Sequence, residues 1–301
     1  MPIILPEKSA SAAVLRSEGV EVLRESPPQH PTLRVGLLNL MPDKLITELQ
    51  FARLLGGGSH NVELVLAVPR SYRSGHDVPR SYQRWCDTTL PHRLDGLIVT
   101  GAPLEYLPFE DVAYWRDLSS IFDWATSNVG DTLHICWAAF AALYIFHGVR
   151  QRVRPRKISG VFQQHIMDTR HPLTAGMGAT FPCPVSRHAE VHAHDLPWRR
   201  GLKCLAQSPD SGLCLLADDG HSAHYMFNHL EYDAETLKLE YLRDRARRAE
   251  AALPRNYLPN DDLSKAPPLV WRRPAEKLIA NWLSILKMRA HQIADLGRSA
   301  A

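Results

Sequence analysis

Nowhere in this chain of 301 residues do eighteen apolar residues follow one another, so no membrane-spanning helix is expected. Met1 to Lys8 lack a charged segment followed by a long apolar core, and no secretory signal is read there. Cysteine is sparse: Cys86, Cys136, Cys183, Cys204 and Cys214 are scattered, odd in number and never spaced C-x-x-C. That pattern argues against a disulfide framework and against a zinc ribbon, and it suits a reducing cytoplasm. A glycine-rich loop of the G-x-x-x-x-G-K type is missing, which leaves nucleotide hydrolysis without support. A large charge of one sign is missing too: the net value is +3, which argues neither for nor against nucleic acid. No internal repeat or low-complexity linker divides the chain, so one domain is expected over residues 1–301.

What is present has the balance of a globular protein, with 45% hydrophobic and 22% charged residues. Leu33 to Leu40, Asn61 to Val68, Leu94 to Gly101 and Thr132 to Ile135 are short apolar runs bounded by turn residues, as buried parallel strands require. The spacing predicts helices over Lys44 to Leu55, with Leu45, Leu49, Ala52 and Leu55 facing inward, and over Val112 to Ser127. The fold class is therefore α/β, a mostly parallel sheet flanked by helices. Residues 1–31 read as a lead-in segment, and Pro69 to Arg93 as too irregular to be core. After Ile158 come short strands, a hairpin around Pro209 to Gly212 and a strand over Ala223 to His229. A helix capped by Asp233 runs to Ala251, and a last helix from about Ala275 to His291 lies in an extension, residues 253–301, packed on the domain.

Thr132 to Leu143 is the stretch with most chemistry in it, because Cys136 stands where a β-type run gives way to an Ala-rich helical pattern. A side chain at such a turn is presented at the end of the sheet, beside the first N–H groups of a helix that favour a thiolate and can receive an oxyanion. The alternative is an ordinary buried cysteine. His229 and Glu231, two apart on an extended segment, point the same way and offer a base with its orienting partner. Asn39 to Lys44, Gly101 to Glu105 and Cys136 all fall at the carboxyl ends of predicted strands, where parallel sheets bind ligands. His188, His192 and His194 form a rival cluster, but no cysteine or carboxylate completes it at ligand spacing, and no metal site is expected. The basic runs Arg150 to Lys157 and Arg243 to Arg248 read as solvated faces, with an anion site as the alternative.

The ordered stretches Leu38-Asn39-Leu40-Met41-Pro42-x-Lys44, Asp95 to Pro103, Asp111 to Trp115, Cys136-Trp137-Ala138, Lys157 to Val161, Ser186-Arg187, Glu231-Tyr232-Asp233, Asn256-Tyr257 and Trp271-Arg272 carry a resemblance that covers nearly the whole chain. It resembles the homoserine O-succinyltransferase/O-acetyltransferase family of methionine biosynthesis. The resemblance implies a class I glutamine amidotransferase-like fold with a nucleophile elbow. It makes Cys136 the acylated nucleophile, His229 the general base and Glu231 its partner. Lys157, Ser186 and Arg243 become substrate-binding residues, with Arg243 a clamp for an amino-acid carboxylate, and Lys44 falls on the acyl-CoA side. Amides of Trp137 and of the Gly101 to Leu104 loop become the oxyanion hole. The substrates implied are acyl-CoA and homoserine, with no separate cofactor, no nucleic acid or membrane partner, a homodimer and a cytoplasmic location.

Glu105 bears on the acyl donor. In the resembled family glycine at this position leaves room for succinyl, and glutamate accompanies acetyl; a carboxylate there fills the pocket and repels the succinyl carboxylate. Acetyl-CoA is therefore expected, with succinyl-CoA the alternative. The chain departs from the family pattern at Phe140, where glutamine is usual, at Leu230, where proline is usual, and at His188, where tyrosine is usual. These bear on the acceptor: homoserine is the family default and serine the alternative. A glutamine amidotransferase-like hydrolase is the competing enzyme class, and a catalytically silent binding relative the third reading. The complete set of Cys136, His229 and Glu231 argues against the last.

Overall fold

The computed structural model describes residues 2–26, 31–58, 60–73, 78–85 and 93–299, with side chains to residue 292. The strands are β1 (Ile3–Ile4), β2 (Val22–Leu23), β3 (Thr32–Leu38), β4 (Asn61–Pro69), β5 (Gln83–Trp85), β6 (Leu94–Val99), β7 (Val129–Ile135), β8 (Arg152–Ile166), β9 (Thr180–Glu190), β10 (Leu202–Ser208), β11 (Gly212–Asp218) and β12 (Ala223–Met226). The helices are α1 (Ser11–Ser17), α2 (Lys44–Gly56), α3 (Trp115–Asn128), α4 (Trp137–His147), α5 (Thr236–Arg247) and α6 (Arg272–Ser299). All twelve strands join one sheet in the order β2-β1-β4-β3-β6-β7-β12-β11-β10-β8-β9, with β5 also paired to β4. From β2 through β12 the pairing is parallel, and from β12 to β9 it is antiparallel. This is the expected α/β architecture. The sheet's central strands β3, β6 and β7 are mostly buried along their length and rich in Leu, Val and Ile, as strands covered on both faces are. Among the described residues no helix is long and apolar enough to cross a membrane.

α6 closes one face. Its Trp282 and Leu286 lie so near β6 that a Cβ at Gly96 would stand 2.5 Å from Leu286 and 2.8 Å from Trp282, so only glycine permits this approach. Trp282 Nε1 and His224 Nδ1 each meet Asp131 Oδ1, at 2.7 and 2.8 Å, and Arg289 donates to Asp131 Oδ2 at 2.6 Å.

Several expectations are corrected. The lead-in supplies two strands of the sheet itself, and the Pro69 to Arg93 stretch contributes core: Tyr72, Tyr82 and Trp85 are buried, and Trp85 sits edge-on to Trp124 at 5.2 Å. Residues 74–77 and 86–92 of that stretch, Cys86 among them, and residues 27–30 lie outside the described residues. Of the face its spacing suggests for α2, Ala52 and Leu55 are buried and Leu49 half-buried, but Leu45 is exposed, and Phe51, Leu54 and Glu48 are buried as well. The reason is that α1, α6, β1 and β4 pack around α2, and Glu48 accepts hydrogen bonds from Ser9 and Ser11. Asp233 does not cap α5; its carboxylate meets Arg53 at 2.8 Å and Arg272 at 3.9 Å, and the helix runs from Thr236 only to Arg247. α6 is longer than its pattern suggests at both ends.

Candidate active site

The parallel pairing of β7 with β12 assembles the site. Ile135, the last residue of β7, is in register with Met226, the last of β12, so the segments that leave the two strands emerge at the same sheet edge. After β7 comes Cys136, with φ 50° and ψ −115°, and then α4. Positive φ in a non-glycine residue costs on the order of 1–3 kcal/mol and needs surroundings that enforce it. Here the Cys136 N–H donates to Met226 O at 2.7 Å, and the Ala139 N–H returns to Cys136 O at 2.9 Å. The thiol is left partly exposed while the helix behind it is buried. Gly101, at the end of β6, lies against this turn: a Cβ there would stand 3.3 Å from Cys136 Cβ and 3.8 Å from Trp137 N.

After β12 the chain turns through Phe227 and Asn228 to His229, whose N–H donates to Pro184 O on β9 at 2.9 Å. His229 interacts electrostatically with Cys136 on one side and is hydrogen-bonded through Nδ1 to Glu231 Oε1 at 2.7 Å on the other. Burial works against the charged imidazolium, but the Cys136 thiolate and the Glu231 carboxylate outweigh it and hold the His229 pKa well above its ordinary value. The three residues predicted as nucleophile, base and partner are thus brought together.

Tyr232 stacks on the His229 ring at 4.2 Å and donates its hydroxyl to Glu240 Oε1 at 2.8 Å. Glu240 Oε2 accepts from Ser186 and lies 3.4 Å from Lys157 Nζ, which also meets Asp244 at 2.7 Å. Arg243 turns Nε and Nη2 onto Asp244 Oδ1, at 3.1 and 3.0 Å. Lys157, Ser186 and Arg243 are therefore gathered beside the dyad, held by two α5 carboxylates that sequence reasoning missed. Burial pushes the Glu240 pKa up, but Lys157, Ser186 and Tyr232 prevail and keep the carboxylate ionised. The available signal was the Glu240–Asp244 spacing of four, which puts both acids on one helical face. Glu240→Gln should loosen the hold on Lys157 and Ser186 and raise KM for a substrate bound by them by about 10–100-fold, the worth of a hydrogen bond to a charged group, which steady-state kinetics checks.

Glu105 stands on the loop after β6, partly buried, with its carbonyl bound by Gln151 at 3.1 Å. It acts electrostatically on His188, whose ring packs against Tyr106 at 5.0 Å, so this loop faces the strand that carries Ser186. In the same loop the Leu104 amide donates to Ala102 O and Pro103 has no N–H. Gly101 and Ala102 are the loop amides left to assist Trp137 at an oxyanion.

Lys44 is not where a solvated helix start would put it. It is 4% exposed, with Nζ 2.9 Å from Asn39 O, 2.5 Å from Met41 O and 3.7 Å from the Tyr72 ring centroid. Burial pulls its pKa down to about 7, while the carbonyls and the aromatic face favour the ammonium. Lys44→Met should lower stability by about 1–3 kcal/mol by stranding those carbonyls, read as a lower urea midpoint. If the side chain instead serves acyl-CoA, KM for acyl-CoA rises and the midpoint stays.

Phe140 is buried one turn into α4. It packs on Phe227 at 4.9 Å and walls a cavity of about 380 Å³ shared with Arg154, Arg187 and Glu190. Leu230 is buried as well. His192 and His194 stack on each other at 5.3 Å, apart from His188 on Tyr106. In the first basic run, Arg150, Arg152, Arg154 and Lys157 each meet a carboxylate, so that run is an ion-paired face.

A cysteine at positive φ on a strand-to-helix turn, with a histidine and a glutamate just beyond the end of the neighbouring parallel strand, sits on a glutamine amidotransferase-like α/β fold. Solved structures agree on the fold. A glutamine amidotransferase from Thermotoga maritima superposes with a TM-score of 0.56 at 12% identity, covering 85% of this chain and 99% of that one. Another from Methylobacillus flagellatus gives 0.51 at 13%, covering 84% and 94%. The family model for homoserine O-succinyltransferase matches residues 2–291, and the chain belongs to that family. Homoserine O-acetyltransferases of Brucella canis and Brucella suis are each 44% identical over 290 residues, covering 94% of this chain and 95% of theirs. The chain is thus an acyltransferase of homoserine, a step of methionine biosynthesis.

Proposed function

We propose that the chain transfers an acetyl group from acetyl-CoA to the hydroxyl of homoserine through an acyl-Cys136 intermediate. The observation that carries this is the placing of Cys136 at the β7–α4 turn, in electrostatic reach of a His229 that is hydrogen-bonded to Glu231. The thiolate attacks the thioester carbonyl, the oxyanion is received by the amides of Trp137 and the Gly101–Ala102 loop, and CoA departs. Acylation removes the thiolate charge that was the main support of a protonated His229. The imidazole can therefore give up its proton to the departing CoA sulfur and become the base that the homoserine hydroxyl needs. Lys157, Ser186 and Arg243 hold the acceptor's amino-acid end, with Glu240 and Asp244 positioning them. Glu105 supports acetyl over succinyl, as do the names of the Brucella relatives. In this reading acyl-CoA is consumed as a substrate, and the enzyme is a cytoplasmic homodimer.

The test incubates the purified chain with acetyl-CoA or succinyl-CoA and homoserine or serine, following CoA release and the mass of the Cys136 peptide. Acetyl-CoA with homoserine should turn over fastest and leave a transient acetyl adduct on Cys136. Absence of any adduct with either donor would sink the mechanism.

A further inference from the structure

At the opposite end of α4 from Cys136, the fold brings together three residues that no sequence motif joins. His147 closes α4, Asp218 closes β11, and His221 lies in the turn leading to β12. His147 Nε2 stands 2.6 Å and His221 Nδ1 2.9 Å from the same oxygen, Asp218 Oδ2, which also accepts from the Tyr225 hydroxyl at 2.6 Å. We propose that His147, Asp218 and His221 form a binding site for one divalent transition-metal ion of the zinc type.

Four observations carry it. First, the ligand atoms all lie within 4.8 Å of one another, with two of the separations at 2.6 and 2.9 Å. Ligand atoms around tetrahedral zinc sit about 3.3 Å apart, so small side-chain rotations suffice to admit an ion. Second, the Asp218 carboxylate is fully buried and no lysine or arginine pairs with it among the described residues; its ionic partners are the two imidazoles. Third, its other oxygen, Oδ1, is buried with no hydrogen-bond partner among the described residues, as is His147 Nδ1. A buried anionic oxygen without a donor is costly and is relieved by a bound cation or water. Fourth, two imidazoles with one carboxylate suit zinc, cobalt or nickel, whereas magnesium and calcium prefer all-oxygen sets.

The surroundings fit an ion site. His221 keeps 30% of its side chain exposed, which gives a route in, and Phe146 stacks on its ring at 4.3 Å. Tyr225 orients the carboxylate from behind. On binding, each imidazole presents the nitrogen now directed at Asp218 as a lone pair, and its proton moves to the other ring nitrogen or to solvent. The ion would clip together the far ends of α4, which starts behind Cys136, and of β12, which leads to His229.

The test uses the full chain carrying Cys136→Ser, so that the active-site thiolate cannot coordinate, after removal of metal with a chelator. Cobalt(II) should bind at one ion per chain with the visible spectrum of nitrogen and oxygen ligands and no sulfur charge transfer, and zinc should raise Tm. Adding His221→Gln, a partly exposed position, should abolish both effects. Tyr225→Phe keeps all three ligands and should weaken binding by about 10–100-fold, as loss of an orienting partner does. No stoichiometric binding, or binding indifferent to both substitutions, overturns the proposal.

Discussion

Replacing Cys136 with alanine should lower kcat by on the order of 10⁴-fold or more, the scale seen when a covalent nucleophile is removed. The fold invests in this residue: it holds Cys136 at φ 50°, ties its N–H to Met226, and brings His229 to it from a strand about ninety residues later. The backbone bonds that hold the turn do not depend on the sulfur, so the alanine variant should fold normally and still bind acyl-CoA. Alanine also relieves nothing of the positive φ, and the Tm should change little. The measurement is CoA release together with the mass of the intact protein after mixing with acetyl-CoA. An adduct on the alanine variant, or turnover within tenfold of the parent, would show that another group carries the acyl chain.

Glu105→Gly should move the donor preference from acetyl-CoA toward succinyl-CoA, by on the order of 100-fold in the ratio of the two kcat/KM values. A succinyl chain ends in a carboxylate, and placing it beside the Glu105 carboxylate in a partly buried loop sets like charges together in a poorly screened place. Removing the side chain removes both the charge and the bulk. The gain should fall on succinyl-CoA, while acetyl-CoA loses little because its methyl group makes no use of the carboxylate. Steady-state kinetics with both thioesters checks this, and an unchanged ratio would mean that Glu105 does not face the acyl group.

The parallel half of the sheet was legible because its strands are buried on both faces and so appear as short, predominantly apolar runs, as in Leu33 to Leu38 and Leu94 to Val99. Cys136, His229 and Glu231 were legible because a strand-to-helix junction and an alternating H-x-E are local patterns. What escaped was set by contacts between distant segments. Helix periodicity assumes one covered face, and α2 is covered on several, which buries Lys44 and Glu48 and exposes Leu45. Asp233 has the composition of a cap, but Arg53 and Arg272 claim it. The roles of Glu240 and Asp244 exist only once β8 and β9 bring Lys157 and Ser186 against α5. The His147, Asp218 and His221 group draws on three elements and leaves no spacing to find.

The seating of α6 on Gly96 has a bearing on how the protein comes into being. Trp282 and Arg289, which satisfy Asp131 and cover β6 and β7, leave the ribosome 151 and 158 residues after that aspartate. Until they emerge, the nascent sheet has an apolar face open to water and a buried aspartate lacking two of its donors, the kind of surface on which unfinished chains associate. Completion of the core therefore waits for α6.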